Sequence, residues 1–203
     1  MSDYSVYAEF LAQLQAATSE EEKSWMLMEF SLNRLSPTVS EAVCIASIPH
    51  RFDRLFLSAL LENDLTDEDW KNLLNQSYIE HLWDGDYAVH ESTRKLLLAK
   101  MFQDNLQRYR ELNHRAAMYC EQQNQEELCW RVATLYHKAL ADLEGIEIDF
   151  NNQAIIWLND SRYKIEAFVR PMLEEVKSRR VNKKVASIVL HWQGVIDSLK
   201  CNR

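Results

Sequence analysis

Cys120, Cys129, His114 and His137 are residue types that a zinc ion takes as ligands. Zinc sites, however, pair their ligands at short spacings, and a nine-residue step from Cys120 to Cys129 does not converge side chains by itself. The cysteines read instead as small buried hydrophobes. Cys44 and His50 offer a nucleophile and a base, but no surrounding signature aims one at the other. Two carboxylate runs, Glu20-Glu21-Glu22 and Asp67-Glu68-Asp69, resemble catalytic acids only in composition. Each follows a capping hydroxyl (Thr18 or Ser19, and Thr66), so helix starts and the helix dipole account for them. No catalytic constellation emerges. The expectation is a protein that is not an enzyme, with no cofactor and no metal.

Other residues bear on binding. Lys177, Arg179, Arg180, Lys183 and Lys184 place five positive charges in eight residues with no acid among them. Such a basic patch suits a phosphate or an acidic partner. The favoured reading is a solvated turn between helices, with cations where a helix C-terminus favours them. Trp25, Trp70, Trp130, Trp157 and Trp192 fall in helical patterns and are expected in the core. Trp83 differs, because it stands beside Asp84-Gly85, a pair suited to a tight hairpin turn. There it is either an exposed anchor for a partner or packed on the C-terminal helices. Tyr78, Trp83, Asp84 and His90 form the candidate interaction surface.

Composition narrows the class. The 203 residues can bury a proper core, and 47% hydrophobic with 27% charged residues is ordinary for a globular protein. Three Gly and three Pro favour long helices over a turn-rich sheet. A net charge of −8 opposes generic nucleic-acid binding, which draws on Lys and Arg. No apolar run approaches the roughly 20 residues of a membrane span, and Met1-Ser2-Asp3-Tyr4 lacks the start of a signal peptide. Four cysteines without paired spacing point to reduced thiols. The expectation is a cytoplasmic, soluble and mostly α protein.

Periodicity then organises the chain. Tyr4, Tyr7, Phe10, Leu11 and Leu14 make an amphipathic stripe, and a second helix opens after Ser19. Ser36-Pro37 ends one helix and starts another. Helices are predicted over 38–47 and 52–61, and again after Thr66. Two short strands follow, Ser77 to Trp83 and Tyr87 to Arg94, around the Asp84-Gly85 turn. Ser92 and Thr93 are expected to cap the next helix. Residues 93–143 read as helical almost throughout, with a turn at Gln122–Gln125 and an end at Glu144-Gly145. Further helices are predicted over 150–175, with Pro171 as a kink or boundary, and over 181–199. Ala116, Ala117, Ala133 and Ala139 would let neighbouring helices approach closely.

The central stretch is similar to the winged-helix domain of STAND signalling ATPases, the NB-ARC and NACHT-like group. Leu35-Ser36-Pro37-Thr38-Val39-Ser40-Glu41-Ala42 opens it, followed by Ile45-Ala46-Ser47-Ile48-Pro49 and Phe52-Asp53. Val89-His90-Glu91 stands where that family has a strand ending Met-His-Asp before a helix. The resemblance covers residues 20–145 and implies a winged helix followed by a helical, tetratricopeptide-like extension. It also implies that His90 would touch a nucleotide phosphate. The chain departs from the family in having no Gly-x-x-x-x-Gly-Lys-Ser/Thr. Without that backbone cradle and its Lys, nothing holds phosphates or Mg²⁺. His90 is therefore read as structural at a strand–helix junction, with a nucleotide role only if a nucleotide-binding partner exists.

The expected organisation is a helical lead-in over 1–35, a winged-helix module over 36–105 and a helical extension over 106–203. The expected function is that of a non-enzymatic adaptor or regulatory module. Its partner would be another protein, for which the resemblance suggests a nucleotide-binding signalling chain. The alternative is a DNA-associated winged-helix regulator. Its groove-facing helix would run from Asp67 to Gln76, with acids at the leading end.

Overall fold

The structure, a computed structural model, describes residues 3–201. It is mostly helical: eleven helices and one two-stranded antiparallel sheet among the described residues. Helices α1 (Asp3–Ala16) and α2 (Glu20–Leu32) form the lead-in. Ser19 caps α2 by accepting the Glu22 N–H at 3.1 Å, while the Glu22 carboxylate accepts the Thr18 N–H at 2.9 Å. The return bond goes to the residue before the cap, so the pairing is a capping box displaced by one residue. The Tyr4 side chain lies outside the described residues, as does that of Cys201.

Helix α3 (Pro37–Ala46) starts at the predicted Pro, with Ser36 as its cap. Its buried face, Val39, Ala42, Val43 and Ala46, is the one the periodicity gives. Helix α4 (Arg54–Leu60) is shorter than expected, because Asp53 caps it by accepting the Phe56 N–H at 2.7 Å. Phe52 is thereby excluded from the helix. Its backbone makes an antiparallel bridge to Tyr87, with both N–H···O distances at 2.8 Å. Helix α5 (Asp67–Leu74) begins at Thr66 as the sequence predicts.

Strands β1 (Ile79–His81) and β2 (Tyr87–Val89) pair in the register Ile79–Val89, Glu80–Ala88, His81–Tyr87. The second strand is thus much shorter than the predicted run to Arg94. Glu91 already begins α6 (Glu91–Asp104), and His90, not Ser92 or Thr93, is its N-cap residue. The helical run after residue 93 is interrupted at Asn105, whose side chain accepts the Arg108 N–H at 2.9 Å and caps α7 (Leu106–Glu121). Helix α8 (Leu128–Leu140) returns antiparallel after the predicted turn. Ala116, Ala117 and Ala139 are buried between neighbours, so the backbones approach closely.

The chain leaves α8 at Leu140, earlier than expected, and Gly145 at φ +79° opens α9 (Ile146–Asp160). The predicted single helix over 150–175 is two. Ser161, with an extended backbone, separates α9 from α10 (Arg162–Lys177), and Pro171 lies inside α10. Helix α11 (Lys183–Cys201) packs on α9 and α10. One apolar cluster of buried residues takes in members from Met28 to Ile196. No helix among the described residues is long and apolar enough to cross a membrane.

Candidate functional site

The hairpin between β1 and β2 is short and held from outside. The Leu82 N–H donates to Asp86 O at 2.8 Å and the Gly85 N–H to Leu82 O at 3.2 Å, with Gly85 at φ +94°, where a side chain would be strained. Arg51 forks across the turn: its Nε donates to Asp86 Oδ2 at 2.6 Å and its Nη2 to Asp84 Oδ2 at 2.5 Å. The Arg51 hydrogen bond holds the Asp84 carboxyl below its ordinary value. A guanidinium fork satisfies two carboxylates in fixed geometry, which a lysine does not. Trp83 rides on this clamped turn and is 96% exposed. Packing on the C-terminal helices is therefore excluded. An Arg51→Gln variant should leave the melting temperature nearly unchanged while the Leu82 and Gly85 amides exchange with solvent faster. Unaltered exchange would mean that the turn holds itself.

The remaining candidate residues separate from Trp83. Tyr78 is half-buried and faces a cleft of about 890 Å³ between α2, the β2–α6 junction and the turn joining α10 to α11. His90 is exposed, with Nδ1 3.0 Å from Ser92 Oγ and Nε2 3.6 Å from Glu80 Oε1. Both contacts orient it at the strand–helix junction.

The basic turn has carboxylates around it that sequence order hides. Lys177 pairs with Glu174 at 2.8 Å and Lys184 with Glu147 at 3.1 Å. Arg180 is buried, its Nε on Glu175 Oε2 at 2.6 Å. Arg179 adopts φ +57° and, like Lys183, makes no ion pair among the described residues. The expected solvated five-charge patch is thus divided, one cation serving the interior and two serving surface pairs.

Arg180 belongs to a buried polar network that sequence reasoning missed. Arg94, 3% exposed on α6, donates to Pro49 O at 3.3 Å, to Ile48 O at 3.2 Å and to the Tyr136 hydroxyl at 3.1 Å. That hydroxyl donates to Glu175 Oε1 at 2.6 Å, and Glu175 Oε2 holds Arg180. Burial pushes the Tyr136 hydroxyl well above its ordinary range, so it stays protonated and donating. The network joins the segment before α4 to α6, α8, α10 and the α10–α11 turn. A signal was present: Arg94 lies on one helical face with Leu97, Leu98 and Met101, a cation in an apolar stripe.

Nearby, His137 is 2% exposed, and Nδ1 lies 2.9 Å from Asn113 Oδ1. Asn113 in turn donates to Tyr109 O at 2.9 Å. His114 is exposed on the far side of α7. Cys120 is fully buried and Cys44 half-buried, but Cys129 is exposed at the start of α8, against expectation. Among the described residues no three His, Cys, Asp or Glu side chains gather as a metal site. No protein-family model matches the chain, and neither a curated protein nor a solved structure matches it.

Proposed function

We propose that the chain is a non-enzymatic interaction module whose residues 36–105 form a winged helix and whose wing docks on a protein partner. Three helices, α3, α4 and α5, precede the β1–β2 hairpin, and the isolated Phe52–Tyr87 bridge pairs one residue between α3 and α4 with β2. That order of elements supports a winged helix. The α7–α8 hairpin and the helices after it serve as a tetratricopeptide-like extension. The observation that carries the functional reading is Trp83: a large aromatic, 96% exposed, on a turn that Arg51 makes stiff. An aromatic on a clamped turn loses little backbone freedom when it enters a partner's pocket, which favours a binding anchor. The resemblance to STAND ATPases makes a nucleotide-binding signalling protein the first partner to test.

A Trp83→Ala variant should keep its helicity and melting temperature, since an exposed side chain contributes little to stability. Its affinity for the partner captured by the unaltered chain should fall roughly 30-fold, the scale of an aromatic hot spot. Equal capture by both chains would remove the wing from the interface. Tyr78→Ala is a poorer probe, because Tyr78 also packs against the core. The DNA-associated reading gains no support: Asp67 and Glu68 are exposed at the leading turn of α5, and Arg54 is engaged by Asp67 at 2.6 Å.

A further inference from the structure

Arg180 is used on one side only. Its side chain is 5% exposed, its Nε is bonded to Glu175, and its two Nη groups donate to no partner among the described residues. The residue forms part of the wall of the 890 Å³ cleft. Behind it the charge is uneven. Arg94 and Arg180 are both cationic, and among the described residues Glu175 is the only carboxylate hydrogen-bonded into the network. A buried excess of positive charge is costly until a counter-charge reaches it.

The same cleft receives the start of α6. His90, its N-cap residue, bonds the Ser92 hydroxyl but accepts no first-turn backbone N–H with its side chain, and the first turn bond is made by the Arg94 N–H to His90 O at 2.8 Å. The N–H groups of Glu91, Ser92 and Thr93 therefore precede the helical ladder, and Ser92 and Thr93 line the cleft. Unpaired N–H groups at the positive end of a 14-residue helix attract anions. Of the acids around the rim, Glu174 is held by Lys95 at 3.6 Å and Lys177 at 2.8 Å, Glu20 by Lys23 at 2.8 Å, and Glu91 in the first turn of α6 by the same Lys95 at 3.2 Å, while Glu21 makes no ion pair among the described residues. Leu27, Met28, Leu96 and Phe102 supply an apolar wall.

We propose that this cleft binds a small organic phosphate. The phosphate oxygens accept from the Arg180 Nη groups and from the first turn of α6, and the apolar body lies against Leu96 and Phe102. The site is separate from the wing and does not depend on the wing's role. Phenyl phosphate is the probe, titrated by calorimetry against the full chain, with phenol and inorganic phosphate as controls. Saturable binding of phenyl phosphate is expected, at least tenfold tighter than either control and weakening as salt is added.

Arg180→Gln should abolish the binding, but it also disturbs the buried pair with Glu175 and can reduce folding. Ser92→Asp avoids that problem, because a carboxylate in the first turn suits the helix dipole and should not lower the melting temperature. It nonetheless places a negative charge at the phosphate position and should weaken phenyl phosphate at least tenfold. Absence of saturable binding below about 10 mM, a range corresponding to negligible affinity, would overturn the proposal. So would phenol or inorganic phosphate binding as well as phenyl phosphate, or undiminished binding by Ser92→Asp.

Discussion

Replacing Glu175 with Gln is expected to lower the unfolding free energy by about 3 kcal/mol, the scale of stranding a buried charge. Glu175 is 1% exposed and accepts from both the Tyr136 hydroxyl and Arg180 Nε, each at 2.6 Å. An amide of the same shape can still accept one of these hydrogen bonds, which is why the loss is placed at the lower end of the range. The larger part comes from charge: Arg180 would remain buried with no carboxylate bonded to it, and Arg94 would lose the negative charge it reaches through the Tyr136 hydroxyl. Urea titration measures the effect directly. Pairing Glu175→Leu with Arg180→Met should cost less than Glu175→Leu alone, because the second change removes the stranded cation. If the double variant is the less stable one, charge balance is not what makes the network matter.

The second large effect is a loss of stability in acid that follows His137. Burial, reinforced by the Arg94 charge, lowers its pKa from 6.5 to about 3. The folded state therefore binds this proton less readily than the unfolded chain. The contribution is fully present above pH 6.5, begins to decline as the pH falls through that value, and is exhausted near pH 3. For this shift the linkage amounts to about 2 kcal/mol at pH 5 and approaches 5 kcal/mol at pH 3, to order of magnitude. The neutral ring sits 2.9 Å from Asn113 Oδ1 and stacks edge-on to Phe56 and Tyr136, an environment with no room for a second charge beside Arg94. A His137→Gln chain should be less stable at pH 7 yet lose less on acidification. Plotting the difference between the two chains against pH reports this residue together with its coupling to His50, whose ring is held low by burial and by the Arg94 and His137 charges. A flat difference between pH 7 and pH 4 would assign acid sensitivity elsewhere.

What was legible in the sequence was local. Ser19, Ser36 and Thr66 cap helices because a hydroxyl reaches an N–H three residues on, a contact that adjacent residue types specify. Asp84-Gly85 marks the hairpin for the same reason. The breaks at Asn105 and Ser161 were not legible, because no Gly or Pro punctuates either and the apolar period continues across them. The bridge at Phe52 depends on a residue 35 positions away, and in sequence Phe52 matches the helical stripe that follows it. The basic turn misled for a related reason. Charges clustered in sequence read as one solvated patch, yet Arg180 is drawn inward by Glu175, five residues earlier, while its neighbours face water. Trp83 was half legible. Its place at the turn was clear, and its exposure depended on how far the hairpin projects.

The five residues from Ile48 to Phe52 do more than connect two helices. Ile48 and Pro49 offer their carbonyls to Arg94, Arg51 grips the carboxylates of the hairpin turn, and Phe52 is bonded to the hairpin's second strand. The hairpin is therefore rooted in the same segment that the interior network holds. A load applied at Trp83 passes down this segment into Arg94 and onward to Tyr136 and Glu175, so the tip bears force like a tooth set in bone and not like a flap on a hinge.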